Sequence, residues 1–241
     1  MRRLAVDVNL EVALKEVSMH FERLLRCFLA AYICFTVPAG FAAPISELYQ
    51  PCVACHGVGG EGNPALGAPA LAGQQAQYLS RQLEHFREGR RGADVADTFG
   101  SQMSVMVQNL TDAQISDLGI YLAELAVSKP PAQPKEFANL PPETLRNGSD
   151  YYQANCGACH GGKAEGNSAL NAPNLAMLDS AYLLRQMRHF QTGVRGSSAG
   201  DRYGKQMQLM SNTLPSQSHL EDVVAFISTL AAREPKDASG L

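Results

Sequence analysis

The sequence predicts an all-α protein in which one domain is used twice. Three observations carry that prediction. Apolar residues recur at helical spacing, no run alternates apolar and polar residues as a half-buried strand would, and the chain matches itself when shifted by 104 residues. Two repeats of about 100 residues are two domains; a solenoid needs shorter and more numerous units. The 21 Gly and 13 Pro foretell many loops between short helices. Lys plus Arg number 20 against 23 Asp plus Glu, a net charge of −3 with a pI near 6.1. That balance excludes a binder of nucleic-acid backbones, which needs a basic excess. Only one apolar run approaches the length of a membrane span, which excludes a multi-pass membrane protein.

That run lies first in the chain. Residues 27–37 read CFLAAYICFTV, preceded by Arg23 and Arg26 and followed by Gly40-Phe41-Ala42. A basic region, a short apolar core and a small-residue cleavage site make residues 1–42 a secretory signal peptide. A retained anchor is the alternative, but 11 uncharged apolar residues are short for a span. Residues 1–18 are mixed in charge, and Met19 would open a more ordinary signal, so translation is expected to start there. Cleavage removes Cys27 and Cys34. The four remaining cysteines form two pairs, Cys52/Cys55 and Cys156/Cys159.

The first domain is expected over residues 43–128. Leu79, Leu83 and Phe86 share one helix face, and Ile115, Leu118, Leu122 and Leu125 share another; Thr111 with Gln114 reads as a capping box on the latter helix. Residues 129–140 form a Pro-rich linker, extended and fairly stiff. The second domain, 141–241, repeats the pattern with Leu183, Met187 and Phe190, then Leu220, Val223, Ile227 and Leu230. Residues 43–128 carry four basic and nine acidic residues; residues 129–241 carry 11 basic and 10 acidic. The mature chain is therefore expected to be a charge dipole with an acidic first domain.

The chemistry lies in Cys52-Val53-Ala54-Cys55-His56 and Cys156-Gly157-Ala158-Cys159-His160. Cys-x-x-Cys-His is the spacing for covalent attachment of a c-type haem, with the two thiols bonded to the porphyrin edge and the imidazole beneath the iron. A thioredoxin-type pair would need a βαβ setting, and a zinc ribbon or a disulfide explains neither His. Two motifs in register imply two haem c groups. Cys52, Cys55, Cys156 and Cys159 are the anchors, and His56 and His160 are axial ligands. A buried porphyrin also enlarges the thin core of such small domains. For the opposite axial site, Met103 and Met207 each lie 47 residues after their His, with Met106 and Met210 as rivals. His85 and His189 also repeat; beside basic residues on amphipathic helices, they read as surface or hydrogen-bonding groups. His219 has no counterpart and reads as a solvated residue at a helix start.

With those residues in view, the mature chain resembles the cytochrome c4 family of dihaem class I c-type cytochromes. The resemblance rests on the paired haem motifs, on Tyr78-x-x-x-Gln82-Leu83-x-x-Phe86-x-x-Gly89-x-Arg91 with its copy from Tyr182 to Arg195, and on a Met seven residues before Leu110 and Leu214. It implies two tandem class I domains, each wrapped around one haem, with Met103 and Met207 as axial ligands. It also implies that the carbonyls of Pro69 and Pro173 hold the proximal imidazoles, and that Gly148, Tyr152 and Phe226 form a helix crossing in the second domain. In the first domain Tyr121 fits, whereas the short opening helix and Pro51 beside Cys52 depart from the pattern. The function implied is a one-electron carrier without catalytic residues. Its partners would be redox proteins, such as a terminal oxidase, a cytochrome complex or a dehydrogenase, met by the soluble chain or in peripheral association with a membrane. The rival readings are a dihaem subunit of a periplasmic dehydrogenase complex and a dihaem peroxidase, which would need one open haem face.

Overall fold

A computed structural model describes residues 44–127 and 140–231. The expected signal peptide, and all but the last residue of the expected linker, lie outside the described residues. The first half contains helices α1 (Ile45–His56), α2 (Ala76–Arg87), α3 (Thr98–Val107) and α4 (Asp112–Glu124). The second contains α5 (Pro142–Asn155), α6 (Gly157–His160), α7 (Ser180–Thr192), α8 (Arg202–Ser211) and α9 (Gln217–Ala231). Among the described residues the only β pairing is two isolated bridges, Asn63 with Ala68 and Asn167 with Ala172. The chain is all-α, as its periodicity predicts.

The helix faces fall where the apolar spacing puts them. Leu79 and Phe86 of α2 are buried, as are Leu183 and Phe190 of α7. On α4, Ile115, Leu118 and Leu122 are buried, while Leu125 falls just beyond the helix end and is half-buried. The capping box is present: Thr111 Oγ1 accepts from Gln114 N at 3.2 Å, and Gln114 Oε1 accepts from Thr111 N at 2.9 Å. On α9 the buried face is Leu220, Val223 and Ile227.

In each half the first helix crosses the last. Gly148 of α5 lies against α9, where an added Cβ would stand 2.0 Å from Asp222 O. Tyr152 then meets Phe226 with ring centroids 5.6 Å apart. The first half makes the same crossing despite its departures in sequence. Helix α1 runs through Pro51 and carries the whole haem motif, and Tyr49 meets Tyr121 at 5.8 Å. Tyr49 and its counterpart Tyr152 are 103 residues apart, one short of the repeat. Helix α1 is unbroken where the second half interrupts its helix at Cys156, and that break absorbs the extra residue.

Candidate functional site

Each Cys-x-x-Cys-His stretch closes a helix. Cys52, Cys156 and Cys159 are half-buried, Cys55 is exposed, and His56 and His160 are buried. The turn after each His is pinned by a buried tyrosine: Tyr49 Oη donates to Gly57 O at 2.8 Å and Tyr152 Oη to Gly161 O at 2.6 Å. The loop then folds back. His56 Nδ1 lies 2.9 Å from Pro69 O, and His160 Nδ1 lies 2.9 Å from Pro173 O. A carbonyl only accepts, so Nδ1 carries the proton and Nε2 keeps its lone pair for a metal. Burial lowers both imidazole pKa values and keeps the rings neutral. The fold-back needs Gly62 and Gly166, at φ +82° and +85°; a Cβ there would approach Ala70 N at 2.5 Å and Asn174 N at 2.6 Å.

The four cysteines form no disulfide. Burial raises the Cys52 thiol and pushes Cys156 up to about 11, the opposite of a redox-active thiolate. Among the described residues no group of three or more His, Cys, Asp and Glu side chains is placed to hold a metal ion.

Met103 and Met207 lie inside helices of their own, α3 and α8. Asp97 and Asp201 cap these helices, accepting from Gly100 N at 2.9 Å and Gly204 N at 2.7 Å. The spacing alone had placed both Met residues in the stretch before the last helix. Met103 is half-buried whereas Met106 is 50% exposed. In the second half a cavity of about 320 Å³ brings together Cys156, Cys159, His160, Met207 and Met210. Leu183, Phe190, Val224 and Ile227 give it apolar walls. Thiols, a neutral imidazole with a free Nε2, and thioethers around one apolar cavity fit a covalently held, six-coordinate haem.

The repeated His residues are not surface groups. His85 is buried with Nδ1 3.7 Å from Asp201 Oδ1, and His189 Nδ1 lies 3.7 Å from Asp97 Oδ1. Each pair joins the two halves. Burial lowers both imidazole pKa values more than the facing carboxylate raises them. His219 stands in the first turn of α9, as expected. It is half-buried, with its ring edge-on to Tyr151 at 4.6 Å and Nδ1 2.7 Å from Ser216 Oγ.

Between the halves lies a polar layer that the sequence reading did not foresee. Gln82 Oε1 accepts from Arg91 at 2.8 Å and from Arg195 at 2.7 Å. Gln186 Oε1 accepts from Arg195 at 2.8 Å and from Arg91 at 3.0 Å. Arg81 donates to Asn171 across the boundary, and Arg185 donates to Gly67 O at 2.7 Å. Gln74 pairs with the Asn174 backbone, donating to its O and accepting from its N, both at 2.9 Å. The available signal was that Arg81-Gln82, Arg91 and Asp97 all recur 104 residues on. Polar residues kept in both copies point to a shared task.

The family model described as cytochrome c matches residues 42–126 and again 145–231. A thiosulfate dehydrogenase electron acceptor of Thiomonas intermedia (strain K12) is 36% identical over 185 residues, covering 76% of this chain and 80% of that one. Cytochrome c4 of Pseudomonas aeruginosa is 30% identical over 159 residues, covering 65% and 74%. The crystal structure of reduced recombinant cytochrome c4 from Pseudomonas stutzeri superposes with a TM-score of 0.62 at 26% identity, covering 78% of this chain and 98% of that one. The two Cys-x-x-Cys-His motifs accordingly hold two haem c groups with His/Met ligation.

Proposed function

Since the chain belongs to the cytochrome c family, as a dihaem, cytochrome c4-like electron carrier, we propose that it is a periplasmic shuttle between respiratory partners, delivering single electrons to an acceptor such as a terminal oxidase. The attachment residues are Cys52 and Cys55 for one haem and Cys156 and Cys159 for the other. The axial pairs are His56 with Met103 and His160 with Met207. Each haem supplies one iron that cycles between ferrous and ferric states. The chain does the rest. Pro69 and Pro173 orient the imidazoles, the apolar cavity wall excludes water, and the thioethers of Met103 and Met207 would complete the iron's ligand set and favour its ferrous state.

The observation that carries this reading is the cavity where Cys156, Cys159, His160 and Met207 converge, repeated in sequence by the first half. Potentiometric titration of the purified protein tests it. Two haems per chain and two low-spin, one-electron steps are expected. Met103→Ala and Met207→Ala should each lower the potential of one haem and open it to added ligands. If Met106→Ala or Met210→Ala does this instead, the axial assignment is wrong. A high-spin haem or turnover of peroxide would sink the carrier reading.

A second reading is favoured by the 36% identity to a thiosulfate dehydrogenase electron acceptor. Here the chain takes its electrons from a periplasmic dehydrogenase, either as a mobile acceptor or as a bound subunit. Whether the native protein is isolated alone or with a dehydrogenase separates the two cases.

A further inference from the structure

The layer between the halves is short of negative charge. Arg91 and Arg195 are 6% and 7% exposed, and Arg81 and Arg185 are half-buried. Every hydrogen-bond partner these four guanidiniums have among the described residues is neutral: Gln82, Gln186, Tyr182, Asn171 and the carbonyl of Gly67. Their flat faces rest on aromatic rings, Arg81 on Tyr203 at 4.4 Å and Arg185 on Phe99 at 4.3 Å. The carboxylates nearby are Asp97 and Asp201, and each already caps a helix and faces a histidine. Four cations against two anions leave two positive charges uncompensated. Burying charge without a counterion is unfavourable, and an anionic ligand beside these groups would offset that cost. Three Nε–H groups, those of Arg81, Arg91 and Arg185, are buried and have no acceptor.

The position of Arg81 indicates what completes it. Arg81 belongs to α2 of the first half, yet it lines the cavity that holds Cys156, Cys159 and His160 of the second. A haem brings two carboxylates on one edge of an otherwise apolar disc. We infer that Arg81 is a counterion of a propionate on the second haem, reaching it from the other domain, and that Arg185 serves the first haem reciprocally. Each haem is then held covalently by one domain and neutralised partly by the other. This inference rests on the two-haem reading above.

The test is a stepwise potentiometric titration of the intact dihaem protein and its Arg81→Gln, Arg81→Lys and Arg185→Gln variants, with haem content confirmed as two per chain. A chain with fewer haems would contradict the haem reading itself. The second-haem step is identified as the one displaced by Met207→His or, if that changes nothing, by Met210→His. Removing a cation beside a propionate favours the oxidised haem. Arg81→Gln is expected to shift the second-haem equilibrium about tenfold toward the ferric form, a potential about 59 mV lower for one electron. Arg185→Gln should do the same to the first-haem step. Arg81→Lys keeps the charge and should stay within about threefold of the parent. A shift confined to the first haem, equal shifts of both haems, a shift of the second haem under threefold, or equal effects of the Gln and Lys variants would each overturn the inference.

Discussion

Gly166→Ala tests whether the loop that presents Pro173 to His160 is as constrained as it looks. The residue sits at φ +85°, and an added Cβ would lie 2.6 Å from Asn174 N and 2.8 Å from Pro173 C. Left-handed backbone costs alanine about 1–2 kcal/mol. Contacts under 3.0 Å with backbone force the fold-back to move, adding about 1–3 kcal/mol. The sum is about 2–5 kcal/mol, and for a domain of this size roughly 4–8 °C is lost per kcal/mol. The second domain of Gly166→Ala should therefore melt at least about 8 °C lower, read by thermal unfolding of the dihaem protein. Gly162→Ala is the internal control, since it lies in the same loop with nothing within 4 Å of its added Cβ and should change stability by less than about 0.5 kcal/mol. If the two variants melt together, the loop is not the rigid seat described above.

Other expectations follow from the layer between the halves and from the charge of each half. Gln82→Leu strips two guanidiniums of an acceptor and should cost roughly 3 kcal/mol in denaturant unfolding, with a loss under about 1 kcal/mol counting against the layer's importance. His85 and His189 titrate below the ordinary His value of 6.5 because burial disfavours the imidazolium; Arg81, Arg90 and Arg195 add to this at His85, and Arg185, Arg91 and Arg195 at His189. The unfolded chain thus binds more protons than the folded one, so stability should be full above about pH 6.5 and fall below it. Denaturant midpoints at pH 7.5 and 5 measure that fall, and a fall left intact in His85→Gln/His189→Gln would assign it elsewhere. The acidic first domain should make reduction by a basic donor slow with added salt more steeply than reduction by an acidic donor; identical salt dependences would remove the dipole idea.

Much of this was legible because the relevant signals are local. Period-3.6 spacing gave the helices and their buried faces, and Thr111 with Gln114 announced its own cap. The Cys-x-x-Cys-His stretches declared the haem anchors, since the chemistry depends on five consecutive residues. What stayed hidden depends on sites far apart in the chain. The Tyr49–Tyr121 crossing was masked because the counterpart of Tyr49 lies 103 residues on, and because Pro51 beside Cys52 departs from the pattern although the helix runs through it. His85 and His189 looked like surface or hydrogen-bonding groups because an amphipathic helix shows which residues are polar, not what covers them. Their cover is the other half of the molecule, through Asp201 and Asp97. Likewise Gln82 and Arg91 stood out in the sequence only as repeated motif residues, and their partners Arg195 and Gln186 lie in the other copy.

The reciprocity of that contact has a consequence for how such a chain could arise. Arg91 bonds Gln82 of its own repeat and Gln186 of the other, and Arg195 does the converse. One repeat therefore carries both complementary parts of its own interface, the property of a self-complementary two-fold dimer. An unfused ancestor bearing these residues could pair with its own copy, but only at sufficient concentration. Joining the copies in one polypeptide makes the encounter intramolecular and independent of dilution. It also frees the two sides to diverge, as they have where Gln74 grips the backbone of Asn174 and the shifted position, Leu178, has no amide to return the grip.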